Sequence, residues 1–159
     1  MIHHYRTSAV IWTLAAALVA PACKKVPLIP SKEATAKVAL AASADVNPDA
    51  SGKPSPVVVR VYQLKGDAAF AMADFFSLFD DETKVLGPEL IGREEYLLTP
   101  AERRTVELVV PKTARFVGVI AAFRDIRNSQ WRVVVPAPLK NNNVTLSVER
   151  ARVQFSPTK

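Results

Sequence analysis

A short apolar stretch that ends near the only cysteine of the chain most limits what this sequence can become. The stretch covers residues 9–20, follows the basic residue Arg6 and stops just before Cys23. Its 12 residues are too few for a permanent membrane helix, which needs about 20, so the pattern predicts a secretory signal peptide over residues 1–22. A cysteine at the cleavage point predicts a lipoprotein that is acylated at Cys23.

Two residues beside the cysteine bear on this prediction. Ala20 stands where a leucine is usual in the lipid-attachment motif, so cleavage as a soluble periplasmic protein with a free thiol is the alternative. Lys24 stands where an aspartate typically retains lipoproteins in the inner membrane. The sequence therefore predicts a lipid-anchored protein of the outer membrane that faces the periplasm.

Removal of the signal peptide also removes most of the common means of catalysis. It leaves 137 of 159 residues, enough for one domain with its own core, and lowers the net charge from +6 to +5 because Arg6 is lost. His3 and His4 are the only histidines and Cys23 is the only cysteine. These absences argue against Ser-His-Asp and Cys-His catalysis, zinc sites built on His or Cys, and intrachain disulfides. We expect no enzyme activity, no metal and no cofactor beyond the covalent lipid. A nucleic-acid partner is not expected, because the signal peptide predicts a secreted compartment.

The segment after the cysteine has the composition of a linker. Residues 24–36 contain two prolines and four charges without a clear period. They predict a flexible, semi-extended tether, which at about 3.1 Å per residue could hold a domain up to roughly 40 Å from its lipid. An edge strand made by Val26, Leu28 and Ile29 is the alternative. The tether with its lipidated cysteine covers residues 23–36, and the folded domain covers residues 37–156.

Alternation of apolar and polar residues predicts that this domain is all-β. One face of Val57–Leu64 carries Val57, Val59 and Val61, whereas residues 115–123 are apolar at nearly every position. The first pattern is typical of a half-buried strand, and the second predicts a central strand that is covered on both faces. Seven or eight strands at this spacing predict a β-sandwich. The predicted strands are 38–46, 57–64, 96–99, 105–110, 115–123, 131–135, 144–148 and 152–155.

A helical pattern interrupts the strands at about residues 66–87. Its apolar residues recur at helical spacing up to Phe79, Asp67 can serve as the N-cap, and Gly87 and Pro88 end it. We expect a small helical insertion that forms a lid over the open end of the sandwich. Its aromatic face is either packed into the core or exposed for docking.

The acidic residues lack the spacing of a catalytic or metal site. Asp80, Asp81 and Glu82 do not follow EF-hand spacing and predict a solvated helix end. Glu94 and Glu95 are adjacent in a predicted strand, so their side chains point to opposite faces and cannot form a carboxylate pair.

Two further pairs have structural and functional interpretations. Arg124 and Asp125 follow the most apolar strand and predict a local ion pair that holds the turn. Trp131 beside Arg132 is either a surface aromatic–cation anchor or, as is usual for tryptophan in a sandwich strand, part of the core.

The loop at residues 47–56 is the best candidate for a binding site. It is polar, lies between two well-defined strands and exceeds the usual hairpin loop length, although a passive connector is the alternative. The candidate partner-binding residues are Asn47, Pro48, Asp49, Ala50, Ser51, Gly52, Lys53, Pro54 and Ser55.

These features, in this order, resemble the TssJ (SciN) family of outer-membrane lipoproteins from type VI secretion systems. The resemblance covers about residues 38–148. It rests on the lipidated cysteine, on Asn47-Pro48, and on Ser55–Leu64 with its Tyr62-Gln63-Leu64 ending. It then includes Phe70, Ala73–Phe75, Leu78, Pro100–Glu102, Phe116–Asp125 and Trp131-Arg132. The departures are Ala20 in the lipid-attachment motif and a final segment, residues 149–155, without an obvious tight turn.

The resemblance implies a transthyretin-like β-sandwich with a non-enzymatic role. Members of this family anchor the trans-envelope complex by binding the periplasmic C-terminal region of the inner-membrane protein TssM through the loop between the first two strands. That loop corresponds to residues 47–56 here. The alternatives are a small-ligand or glycan-binding lipoprotein that uses the end near Trp131, and a hydrolase that uses carboxylates alone.

Overall fold

Alternating apolar side chains build two four-stranded β-sheets. The computed structural model describes residues 34–139 and 143–157. Within them it contains eight strands, which confirms the predicted all-β sandwich of seven to eight strands. The strands are β1 (Ala34–Ala42), β2 (Val57–Leu64), β3 (Leu90–Leu98), β4 (Arg103–Val110), β5 (Phe116–Ala121), β6 (Arg132–Pro136), β7 (Asn143–Glu149) and β8 (Arg152–Pro157).

The first sheet has the strand order β4-β1-β7-β8, and the second has the order β3-β2-β5-β6. All neighbouring strands are antiparallel except β1 and β7, which run parallel. One buried cluster joins the inner faces of both sheets, with Leu40 and Leu146 from the first and Val59 and Val119 from the second. This cluster is the main hydrophobic core.

The two strongest sequence patterns give the two central strands of the second sheet. In β2, Val57, Val59 and Val61 point into the main core, as their alternation predicts. In β5 the burial extends to the outer face, where Ile120 belongs to a second buried cluster. The prediction of a strand that is covered on both faces is therefore confirmed.

The helical insertion consists of three short helices instead of one. They are α1 (Ala68–Met72), α2 (Phe75–Asp80) and α3 (Glu82–Leu86), followed by a 3₁₀ turn at Gly87–Glu89. Ala73 is extended, with ψ of 144°, and this interrupts the helical pattern. Asp74 and Asp81 cap the second and third helices by accepting bonds from the amides of Ser77 and Lys84. Asp67 occupies the N-cap position of α1 but makes no side-chain cap bond.

The insertion does not cover the open end of the sandwich, so the lid prediction is wrong. It packs against the outer face of the second sheet, where Phe70 and Leu78 are buried with Tyr62 and Ile120. Phe70 lies directly over Gly118, because a Cβ at that position would come 2.8 Å from the Phe70 Cζ. The sheet needs this cover because the outer face of β5 is apolar. Core packing is thus confirmed for most of the aromatic face.

Two side chains of the insertion remain outside this packing. Met72 is 87% exposed and Phe76 is 62% exposed, although the Phe76 ring contacts Phe75 edge-on at 5.4 Å. The alternative of an exposed apolar face therefore holds for these two positions.

Arginine side chains tie the insertion to the sheet. The Arg60 guanidinium donates to Glu95 at 2.7 Å, to Glu82 at 3.1 Å and to the Phe79 carbonyl at 2.6 Å, and it lies 3.8 Å from the Phe79 ring centroid. Arg93 pairs with the other oxygen of Glu82 at 2.7 Å. The Glu82 side chain is only 18% exposed, so the prediction of a solvated helix end is wrong for this residue.

Strand direction separates two ends of the sandwich. One end, which we call the loop end, holds the β1–β2 loop, the β3–β4 turn, the β5–β6 loop and the β7–β8 turn. These connections contact one another there: the backbone amide of Asn47 in the first donates to the backbone carbonyl of Arg150 in the last. The opposite end holds the start of β1, where Ala34 pairs with Val110. The chain from the predicted lipid thus enters the domain at the end away from the 47–56 loop.

Two strands, β1 and β3, differ most from their predicted bounds. β1 begins at Ala34, so residues 34–36 of the predicted tether belong to a strand, and it ends at Ala42 instead of continuing to Val46. β3 spans nine residues instead of the four predicted at 96–99. Charged residues at 93–95 interrupt its apolar pattern, and those at 93 and 95 lie in the arginine–glutamate network on the outer face.

Candidate functional site at the loop end

The tip of the 47–56 loop is built around the carboxylate of Asp49. Its Oδ1 accepts bonds from the Ser51 amide at 2.9 Å, the Ser51 hydroxyl at 2.6 Å and the Lys53 amide at 3.0 Å. These bonds, with that of the Ser51 hydroxyl the largest cause, lower the pKa of Asp49. Gly52 adopts a φ of +83°, which glycine tolerates without strain. The tip is therefore ordered by its own hydrogen bonds.

Asn47 fastens the base of this loop to its neighbours. It is 4% exposed; its Nδ2 donates to the Pro56 carbonyl at 2.6 Å, and its Oδ1 accepts from the Arg124 amide at 2.8 Å. Its own amide donates to the Arg150 carbonyl at 3.0 Å. Asn47 thus joins three separate segments of the chain. Asparagine is among the few non-glycine residues that adopt its φ of +47° readily.

Burial divides the nine candidate binding residues into two groups. Asn47 and Ser55 are buried and position the loop, and the Ser55 amide donates to the Val46 carbonyl at 3.1 Å. The residues between them are exposed or half-buried, with residues 50–53 fully at the surface. A partner can therefore contact the tip and the flanks of the loop, whereas the two end residues act through its shape.

The loop forms one wall of an open cleft of about 540 Å³. Residues 47–50 line this wall, residues 123–125 of the β5–β6 loop line the second, and residues 150–151 of the β7–β8 turn line the third. The β7–β8 turn has only two residues, with Glu149 paired to Arg152 across it, so the last hairpin is tight although its sequence lacks an obvious turn signal. Its position in the cleft follows from the sheet order and has no signature in the sequence.

The predicted ion pair between Arg124 and Asp125 is wrong. Both oxygens of Asp125 accept from the Asn128 amide group, at 3.0 and 2.9 Å. The backbone amide of Arg124 bonds to Asn47, and its exposed side chain lines the cleft. No ion pair joins these two side chains in the described part of the chain.

Trp131 belongs to the packing between β6 and the helical insertion. Its ring meets Phe75 edge-on at 5.3 Å, and the Arg132 guanidinium lies 4.8 Å from its centroid. Arg132 is itself held by the carbonyls of Ala73 at 2.7 Å and Phe70 at 3.2 Å. Trp131 is half-buried and packs against both buried clusters, so the core interpretation holds in part, and the aromatic–cation contact stabilises the same junction.

The carboxylates elsewhere are separated, as their sequence positions predict. Glu94 accepts a bond from the Tyr96 hydroxyl, whereas Glu95 accepts from Arg60 on the opposite face of the sheet. Across residues 34–139 and 143–157, no group of three or more His, Cys, Asp or Glu side chains could hold a metal ion. No helix in the same ranges is long and apolar enough to cross a membrane. The predictions for Cys23 and for residues 24–33 of the tether concern positions outside the described residues.

By fold, the chain is a two-sheet β-sandwich that carries a helical insertion on one outer face. Comparison with known proteins identifies the family. The chain belongs to the T6SS-SciN family of type VI secretion lipoproteins, which includes VasD, EvfM and TssJ, and the family model matches residues 34–151. The family predicted from the sequence is confirmed. A comparison with curated proteins gave no match.

Solved structures support the same conclusion. TssJ1, a type VI secretion lipoprotein from Pseudomonas aeruginosa, is 31% identical with a TM-score of 0.73, and the match covers 80% of this chain and 98% of that one. Lip from Serratia marcescens, a membrane-bound component of the type VI secretion system, is 26% identical with a TM-score of 0.72, covering 80% and 99%. A chain in a structure described as the TssM C-terminal domain from EAEC is 28% identical with a TM-score of 0.67, covering 78% and 98%.

Proposed function

We propose that this lipoprotein is anchored in the outer membrane through Cys23 and binds the periplasmic C-terminal region of a TssM-like inner-membrane protein through its 47–56 loop. In this role it ties the trans-envelope secretion complex to the outer membrane and performs no catalysis. The observation that carries the proposal is the position of the ordered loop at the end opposite Ala34. The chain is also similar to a chain in a structure described as a TssM C-terminal domain, and this supports the choice of a TssM-like protein as the partner.

The length of the domain and of the segment before it would allow one protein to link a membrane to a periplasmic partner. The nine residues of β1 separate the two ends of the sandwich by about 30 Å, at roughly 3.3 Å per residue. The ten residues 24–33 add up to about 31 Å when extended. The loop can therefore present its tip several nanometres from the lipid while the domain stays attached.

The internal bonding of the loop favours binding. A loop that is already held by Asp49 and Asn47 loses little conformational freedom when a partner docks, so less of the interaction free energy is spent on ordering it. The lipid then converts free diffusion into local encounter at the membrane surface.

The decisive experiment replaces the tip of the loop. Residues 49–53 are exchanged for a short Gly-Ser turn, and binding to the purified periplasmic domain of the TssM-like protein of the same secretion system is measured. We expect binding to be lost with little change in the thermal midpoint. The matched control changes Lys112→Gly and Thr113→Ser, which are exposed in the loop at the opposite end, and should bind normally. Normal binding by the tip variant would refute the proposal.

The lipid anchor has a test of its own. The Cys23→Ser chain should bind the partner in solution as well as the acylated chain does, yet fail to support assembly of the secretion complex in cells. Full assembly with the serine variant would show that tethering is not required.

A further inference from the structure

The carboxylates around the loop-end cleft are occupied by the protein itself. Asp49 holds the loop tip together through Ser51 and Lys53, and both oxygens of Asp125 accept from Asn128. These acids therefore serve as parts of the frame of their own loops.

The guanidinium groups on the same rim have open hydrogen-bond sites. The Arg124 side chain is exposed, and within the described ranges its guanidinium makes no hydrogen bond or ion pair, although its positive charge lies close enough to Asp49 to help lower the pKa of that carboxyl. Arg150 approaches Asp45 only at 3.9 Å, and both side chains are about 60% exposed, so the contact is longer than a hydrogen bond. By contrast, the guanidinium groups of Arg60 and Arg132 are engaged with the helical insertion. Arg124 and Arg150 are thus available to a ligand.

The cleft continues past the β7–β8 turn. A second cleft of about 340 Å³ shares Arg150 and Ala151 with the first and extends along Gln130 to Arg152. Its one acid, Glu149, accepts a bond from Gln154. The two clefts meet at the β7–β8 turn, and we call the surface that they line together the path; Arg124 lines its first part, Arg150 lines both parts and Arg152 lines the second. A path of this form suits an extended chain better than a compact small molecule.

The walls of this path are fixed before any ligand binds. The Gln130 amide donates to the Ala151 carbonyl at 2.8 Å, and the Val153 amide donates to the Gln130 carbonyl at 3.0 Å. Asn47 joins the other two walls. The buried ring of Phe123 lies at the base of the first cleft. A segment that enters the path meets a rigid surface.

We infer that the periplasmic partner inserts an extended, carboxylate-bearing segment into this path, where Arg124 and Arg150 bind its Asp or Glu side chains. This inference rests on the proposed function and extends the contact from the 47–56 loop to three segments of the chain. Arginine pairs with carboxylates through two parallel bonds, and such charge-assisted bonds are stronger than neutral ones. Three arginines and three acidic side chains line the path, so recognition depends on which of them have open hydrogen-bonding sites.

The test uses the full-length chain extracted in detergent and the purified periplasmic domain of the TssM-like protein. Arg124→Gln and Arg150→Gln each remove one guanidinium and are expected to weaken binding about tenfold or more, because each loses a charge-assisted hydrogen bond to the partner. The control is Arg115→Gln, an exposed arginine at the opposite end, which should bind as the unaltered chain does. All three variants should keep the thermal midpoint, because their side chains are exposed.

A charge exchange identifies the partner residues. Arg124→Glu should abolish binding, and replacing the contacting acid of the partner with arginine should restore a large part of it. Unchanged binding by both glutamine variants, alongside loss of binding on replacement of the 49–53 tip, would overturn this inference and leave the proposed function intact. Absence of binding by the unaltered chain would overturn both.

Discussion

Gly118→Ala tests whether the helical insertion is seated on the sheet by one close contact. The new Cβ would lie 2.8 Å from the Phe70 Cζ, which is closer than real Cβ atoms come to a neighbour, and a tight 3.0 Å from both Cε atoms. Phe70 is fully buried and also contacts Tyr62, with ring centroids 5.7 Å apart, so the ring has little room to retreat.

The expected loss follows from two limits. Overpacking that is relieved by small shifts destabilises by about 1–3 kcal/mol. Full expulsion of the ring approaches the roughly 3–5 kcal/mol of a Phe→Ala change. We expect about 2–3 kcal/mol for Gly118→Ala, because Arg60 and Leu78 keep the insertion attached while Phe70 adjusts. At roughly 4 °C per kcal/mol, the thermal midpoint should fall by about 10 °C.

The matched background is Phe70→Ala, which removes the ring that the new methyl group would strike. Alanine is otherwise better than glycine inside a strand by about 0.5–1 kcal/mol. Gly118→Ala should therefore be neutral or stabilising in the Phe70→Ala background and strongly destabilising in the native one. Urea unfolding of the four chains gives the coupling free energy. An equal loss in both backgrounds would refute the close-contact argument.

Three further predictions concern stability. Asn47→Ala should lower the free energy of unfolding by about 1–3 kcal/mol, because it leaves the part-buried backbone amide of Arg124 without its acceptor. Urea unfolding measures the loss, and Lys53→Ala, which changes an exposed side chain of the same loop, is the control. Arg60→Met should accelerate amide hydrogen exchange in the helical insertion while leaving the 47–56 loop unchanged, because Glu82 and the Phe79 carbonyl both lose a donor; equal exchange rates would contradict this role. The hydrogen bond from Arg60 lowers the pKa of Glu95 below its usual 4.5, so this carboxylate stabilises the fold at neutral pH and its contribution disappears as the pH falls through the lowered pKa. Thermal unfolding between pH 3 and pH 7 should accordingly show a smaller acid loss for Glu95→Gln, and an unchanged profile would contradict the assignment.

Strands with unbroken patterns could be predicted from the sequence, and interrupted ones could not. β2 was predicted with its observed bounds because its alternation runs from Val57 to Leu64 without a charged residue on the inner face. β3 was predicted too short because Arg93 and Glu95, on its outer face, form ion pairs that a periodicity argument cannot see. In a periodicity argument the charges of Arg93 and Glu95 suggest a loop, whereas in the structure they belong to a strand and form ion pairs with Arg60 and Glu82.

The helical insertion shows a different limit. Its apolar spacing predicted helix correctly, but the extended residue Ala73 and the cap at Asp74 divide it into separate turns. Helical spacing alone gives no position for the insertion, so the lid prediction is wrong. The doubly apolar pattern of β5 is the feature of the sequence that requires a cover on the outer face of the sheet.

The candidate site was predicted only in part. The 47–56 loop was recognised from its composition and length. The other two walls of the cleft come from segments that are distant in the sequence and that meet only through the strand order. Nothing in the sequence around Arg150 indicates that it lines the cleft. Asn47 is predicted to contact the partner, but its buried side chain instead joins two walls of the cleft.

The place of β1 in its sheet has a mechanical consequence. Its first residue continues into the segment that leads to Cys23, its last residue leads to the 47–56 loop, and it has a hydrogen-bonded neighbour on each side, antiparallel β4 and parallel β7. Tension between the lipid and a docked partner would run along this strand. The covalent backbone of β1 would then carry most of the load between its two ends, and only the part that passes from the loop into β2 would act on the hydrogen bonds between strands. The proposed bridge between two membranes would gain resistance to pulling from this arrangement, because the link would not depend on hydrogen bonds alone.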